Sequence, residues 1–298
     1  MEKTKLLQQI RRTLFKLAQL GEISPRIKCA YLKKQFPSFV FPFDWMFEQT
    51  TVTLTNEKTR EITQKMSHIE VNQAIAQLKS LQVGYISILD KVYPEALKTI
   101  YAPPLTLFYK GNIELLTPSS SILAVVGPRK CSKYGQTACE FILKHFAKFC
   151  PRPLIISGLA AGIDAAAHQT ALKYQVPTIA VIGTGLDRYY PKANKNLQIQ
   201  LMAEQLVLSE YPLGSNPLKY HFPDRNRIVA GLSRGVLIVE ARKRSGTLIT
   251  ASRALEEGRD VFAIPGSIFS KTSQGTNALI QQGAICVKDG KTIPNEWL

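Results

Sequence analysis

From Ser121 onward, short apolar runs recur along the chain and stay apolar at nearly every position. They occupy 122–126 (Ile-Leu-Ala-Val-Val), 154–157, 178–182 (Thr-Ile-Ala-Val-Ile), 206–209, 236–240 and 261–264. A strand wetted on one face alternates polar with apolar residues, whereas one covered on both faces does not. Helical patterns, for example at 134–149 and 163–174, separate most of the runs. This order predicts an α/β fold built on a doubly wound, mostly parallel sheet. Ligands of such sheets sit at the carboxyl ends of the strands.

The chain before this point has another texture. Leu6, Leu7, Ile10, Leu14, Leu17 and Leu20 recur at helical spacing, and Gly21 reads as a stop. A second helix is expected after Pro25, a packed aromatic turn region from Phe36 to Phe47, and a further helix from Glu70 to Leu81. Gly84 opens strand-like alternation. These changes place a small helical domain at 1–82, an α/β domain at 83–290 and a short tail at 291–298.

The 298 residues carry a formal charge of +16. Thirteen Lys/Arg face seven Asp/Glu in 1–84, and 25 face 15 in the remainder, so the excess is spread over both parts. A globular chain this basic favours a polyanion such as nucleic acid. No apolar run approaches the length of a membrane span, and the N-terminus lacks a signal-peptide core. Five scattered cysteines without a C-x-x-C pair fit free thiols in a cytoplasmic protein, and neither they nor the four histidines show metal-ligand spacing.

The strand ends carry the chemistry. Their loops read Gly127-Pro128-Arg129, Ser157-Gly158-Leu-Ala-Ala-Gly162-Ile-Asp164, Gly183-Thr-Gly185-Leu-Asp187 with Tyr190-Pro-Lys192, and Arg244-Ser245-Gly246-Thr247. Glycines admit close backbone approach, and helix-terminal amides donate to phosphate oxygens. Beside them runs Lys219-Tyr-His-Phe222-Pro-Asp-Arg225-Asn226-Arg227, read as a loop stiffened by Pro223 that offers cations and flat rings to a single-stranded nucleic acid. Neither nucleotide fingerprint is complete: Gly183-Thr-Gly185 lacks its third glycine, and Gly290-Lys-Thr has Ile285 where a P-loop needs glycine. A chain of phosphates laid over several loops fits better than one compact cofactor.

Asp164, Asp187, Asp224 and Glu240, with His168 and His221, are candidate acids and bases. Structural readings compete with that: Asp164 as a helix N-terminal charge, Glu240 as the partner of a nearby arginine. Ser157 and Ser245 lack a nucleophile-elbow context. No catalytic residue, cofactor or metal is therefore expected.

Taken in order, these motifs, together with Ser209-Glu-Tyr-Pro, Ser245-Gly-Thr-Leu-Ile-Thr250 and Ala263-Ile-Pro-Gly266, resemble the DNA-processing protein A family (DprA/Smf) over roughly residues 84–288. The resemblance implies an extended Rossmann-like domain that binds single-stranded DNA without hydrolysing it. It also implies a homodimer that protects incoming strands in natural transformation and loads the RecA recombinase onto them. By motif position it assigns DNA binding to Gly127, Arg129, Ser157, Gly158, Gly162, Gly183, Gly185, Lys192, Lys219, Phe222, Arg225, Asn226, Ser245, Gly246 and Thr247. Among these, Arg129, Lys192 and Lys219 would grip phosphates and Phe222 would meet a base. The dimer surface would fall near Asn277, Ile280 and Cys286.

The N-terminal helices resemble the small helical domain, of SAM or helix-hairpin-helix type, that many members carry. Pro128 stands where the family usually has serine, removing a hydroxyl and an amide. The end of the chain at Leu298 suggests that no winged-helix domain follows. Two other readings are weighed: a nucleotide-cleaving hydrolase of the lysine-decarboxylase-like group, and a recombinase adaptor with incidental DNA affinity. Arg244-Ser-Gly-Thr247 lacks the glycines the hydrolase group carries before its Gly-Thr.

Overall fold

A computed structural model describes residues 2–49, 53–117 and 121–297, which divide into two compact units. The first comprises 1–110 with 184–188 and 208–216; the second comprises 111–183, 189–207 and 217–298.

Helices α1 (Glu2–Ala18), α2 (Pro25–Gln35), α3 (Trp45–Gln49), α4 (Asn56–Ser67) and α5 (Val71–Ser80) open the first unit. Strand β1 (Gly84–Ser87), the short α6 (Glu95–Lys98) and strand β2 (Thr106–Gly111) follow, with β1 and β2 antiparallel. The Leu/Ile stripe of α1 turns inward as its period requires: Ile10, Leu14 and Leu17 are fully buried. The aromatic turn region supplies Phe41 and Phe43, stacked at 4.9 Å. Helix α4 was missed in the sequence because only Ile62 and Met66 of its twelve residues are buried.

From residue 122 strand and helix alternate: β3 (Ile122–Val126), α7 (Lys133–Phe149), β4 (Leu154–Ser157), α8 (Ile163–Lys173), β5 (Thr178–Ile182), α9 (Lys195–Glu204) and β6 (Leu206–Ser209), whose last two residues count with the first unit. Then come α10 (His221–Leu232), β7 (Gly235–Ile238), α11 (Gly246–Glu256), β8 (Asp260–Ala263), α12 (Gln274–Gln281), β9 (Ile285–Cys286) and α13 (Thr292–Asn295). The strand order β6-β5-β4-β3-β7-β8-β9 makes the mostly parallel, doubly wound α/β sheet that the apolar runs predicted. Val125 beside Leu237 and Leu123 beside Ile155 enter one core with Phe146, Phe262 and Trp297.

Two differences from the sequence reading bear on function. The stretch after Lys219 is not a loop: His221 to Leu232 form α10, with Pro223 in the first turn, where a missing amide breaks no helical hydrogen bond. Residues 291–297, read as a tail, end in Trp297, only 8% exposed and packed edge-on against Phe146 and Phe262 at 5.9 Å each. No helix among the described residues is long and apolar enough to cross a membrane.

Candidate nucleic-acid interface

Chain order reverses direction across the sheet at β3, which has β4 on one side and β7 on the other. Loops leaving the carboxyl ends of strands flanking such a switch point splay apart and open a crevice. Here the crevice is an open pocket of about 400 Å³. Its walls come from the end of β3 (Val126 to Arg129), the β4–α8 turn (Ala160, Asp164), the entry to α10 (Lys219, Phe222, Asn226) and the entry to α11 (Ser245 to Thr247).

Arg129 and Lys219 are exposed. The Arg129 guanidinium lies 4.8 Å from the centroid of the Phe222 ring, and Tyr190 meets the same ring at 5.3 Å. Phe222 is partly exposed and Tyr190 37% exposed, so an aromatic pair stands at the mouth of the pocket beside two cations. The Tyr190 ring was not singled out in the sequence, although it stands two residues before Lys192. Lys192 is exposed on a turn pinned by Asn194, whose amide donates to the carbonyls of Leu159 and Ala160 at 3.0 and 3.1 Å. It does not line the pocket itself.

Ser245 precedes the first turn of α11, and Gly246 is exposed with open space where a side chain would be. This helix entry aims partial positive charge into the pocket. Gly162 makes the sharp turn into α8 at φ +80°, and a Cβ there would lie 2.3 Å from the Pro128 carbonyl. That carbonyl receives the Ile163 amide at 3.4 Å. Gly127 belongs to the pocket wall and Gly183 packs beneath the Phe222 ring.

Several expected contacts turn inward instead. Ser157 is fully buried and its hydroxyl donates to the Val125 carbonyl at 2.6 Å, so it is a core residue. Arg225 borders the pocket but is only 3% exposed; its guanidinium donates to the Val181 carbonyl and fills the space that the absent side chain of Gly158 leaves. The absence of a side chain at Gly158 gives this guanidinium its room. Asn226 lines the pocket but donates to the Thr250 hydroxyl at 2.9 Å, tying α10 to α11. Gly185 belongs to the first unit.

Asp164 is buried, and burial raises its carboxyl above the ordinary range against the pull of Arg225, the Ala160 and Gly158 amides, and Arg129. His168 is buried against the Thr178 hydroxyl at 2.8 Å, and burial together with the Arg225 charge pushes its pKa down to about 3. His221 is buried, 3.0 Å from the Gly183 carbonyl. Among the described residues Glu240 pairs with no arginine: its carboxylate accepts from the Ser132 amide and hydroxyl at 2.9 and 2.6 Å and from Thr272 at 2.7 Å. These bonds fasten the loop after β3 to the loop after β7.

The fold and crevice define an open α/β protein with a basic and aromatic candidate site at the switch point of a doubly wound sheet. The chain belongs to the DNA recombination-mediator protein A family, matching it over residues 84–297. It is 54% identical to the DNA processing protein DprA of Streptococcus pneumoniae over 211 residues, 71% of this chain and 73% of that one. It is 44% identical to the protein Smf of Escherichia coli over 205 residues, 68% and 54% of the two chains. The crystal structure of the Streptococcus pneumoniae protein covers 95% of both chains at a TM-score of 0.77 and 43% identity. DNA processing protein A from Helicobacter pylori, described by its single-stranded DNA binding mode, aligns at a TM-score of 0.64 and 29% identity over 72% of this chain and 95% of that one.

Proposed function

We propose that this protein holds single-stranded DNA along the switch-point crevice and, as a homodimer in natural transformation, protects it and loads the RecA recombinase onto it. One observation carries the DNA-binding reading: exposed Arg129 and Lys219 flank the paired rings of Phe222 and Tyr190 at the carboxyl ends of the central strands. Unpaired bases stack on such rings while their phosphates meet the cations, and no sequence preference is needed. The Helicobacter pylori relative's described ligand supports the same assignment. Transformation, recombinase loading and dimerisation rest on family membership.

The proposed dimer surface is accessible in part. Ile280 on α12 is half-buried, and Cys286 is exposed at the end of β9, an outer strand of the sheet. Asn277 is committed to its own chain, bonding both the amide and the carbonyl of Gly266. A binding role without hydrolysis is supported by the employment of His168 and His221 inside the fold.

The test is titration of a labelled single-stranded oligonucleotide and a duplex of equal length at two salt concentrations. With roughly four phosphates neutralised, log K should fall against log salt with a slope near −3. The single strand should bind more tightly than the duplex at both concentrations. Equal binding of the duplex, or release of base from nucleoside monophosphates, would overturn the reading.

A further inference from the structure

Helix α7 leaves the crevice at Ser132 and runs for 17 residues, about 25 Å at 1.5 Å per residue. Two large rings stand in solvent along its second half, Phe141 at mid-helix at 47% and Phe149 at the far end at 40% exposure. With Lys144, Lys148, Tyr174 and Lys291 they line an open groove of about 820 Å³. Lys291 reaches it because Gly290 lies directly on the helix: a Cβ there would sit 2.3 Å from the Ile142 carbonyl.

Three ammonium groups of the groove's lining lie over ring faces, and Lys173 from outside the lining lies 5.4 Å from the Tyr174 ring. Lys291 is 4.5 Å and Lys148 5.4 Å from the Phe149 ring, and Lys144 is 5.8 Å from Tyr174. The nearby carboxylates already have partners. Glu140 pairs with Lys173 and accepts the Tyr174 hydroxyl at 3.0 Å, and Asp289 accepts the backbone amides of Lys291 and Thr292 at 2.9 and 3.2 Å. Among the described residues, none of the three lysines has an ion-pair partner.

We propose that this groove is a second binding site for unpaired polynucleotide, separate from the switch-point crevice. Lysines interleaved with exposed rings match alternating phosphates and bases, and each base can replace an ammonium on a ring while a phosphate receives that ammonium. An acidic peptide would satisfy the lysines and leave the rings unused. A duplex keeps its bases stacked and offers them no free faces. The inference does not depend on the crevice reading.

Five forms of the full chain test it: wild type, R129A/K219A, K148A/K291A, the quadruple variant and F149A, all required to melt alike. The probe is an oligothymidine of about 12 nucleotides carrying photoreactive 5-iodouracil. R129A/K219A should retain binding that the quadruple variant loses by tenfold or more. K148A/K291A should lower the wild-type salt slope by about 1.4. Irradiation should place adducts on peptides holding Phe141, Phe149 or Tyr174, and F149A should diminish them. Intact binding in R129A/K219A that K148A/K291A abolishes would support the groove while refuting the crevice. Unchanged affinity and slope in K148A/K291A with no adduct on those peptides would overturn the groove, as would equal competition by polyglutamate.

Discussion

The Arg129 guanidinium covers the face of Phe222 at 4.8 Å, so cation and ring form one unit at the mouth of the crevice. The ring holds the cation in place, and the cation occupies a face that a base could take. Removing either partner should therefore have a different signature. F222A should weaken single-strand binding roughly 5- to 30-fold, the equivalent of about 1–2 kcal/mol of lost stacking. The salt slope should stay nearly unchanged because no charge is lost. R129A or K219A should reduce the slope by about 0.7 each. Fluorescence anisotropy at several salt concentrations separates the two patterns.

Arg225 should behave differently from its neighbours. It is buried beside Asp164 and donates to Val181 within the sheet. Its removal leaves a carboxylate inside without that cation, and R225A should cost about 2–4 kcal/mol of folding stability. K219A, at an exposed residue, should leave the denaturation midpoint where it was. A denaturant titration of both variants decides whether loss of binding in R225A is a loss of contact or of fold.

Acid should weaken the fold through His168. The imidazole is held neutral in the folded state with its pKa near 3, below its ordinary 6.5, whereas the unfolded chain takes up a proton near the ordinary value. Stability contributed this way is complete above pH 6.5 and is lost as pH falls toward 3, at up to about 1.4 kcal/mol per pH unit. Asp164 acts in the opposite sense, since its raised carboxyl is relieved on protonation. H168Q should flatten the decline between pH 6.5 and 4 measured by thermal denaturation.

Trp297 anchors the end of the described chain. Its indole N–H donates to Asp260 at 2.9 Å and Arg234 donates to its carbonyl at 2.8 Å. W297A should destabilise the protein by about 3–5 kcal/mol, as expected for emptying a large buried site. W297F should recover part of this; calorimetry measures both.

How much of this was legible in the residues follows from what the residues encode locally. Continuous apolar runs such as 122–126 and 178–182 appear as strands with the same bounds, because burial on both faces leaves no room for polar alternation. The crevice loops were legible from glycines and cations at strand ends. Helix α10 was not, since a proline and five charged or amide residues in nine read as a loop when burial is unknown. Burial of Arg225 depends on Gly158, far away in sequence, and no local pattern reports it. The Glu240 partners lie on two other loops, Ser132 and Thr272, so the nearest chemical guess of an arginine failed.

Helix α10 carries the exposed grip and the interior scaffold within a single turn: Phe222 faces the crevice, Arg225 borders it while almost wholly buried, and His221 is buried in the fold. A lineage cannot freely retune its hold on a ligand here, because neighbouring codons govern whether the domain survives. A change of affinity that spares the core is open instead at exposed Lys219, just before the helix, and at exposed Arg129 on the loop after β3.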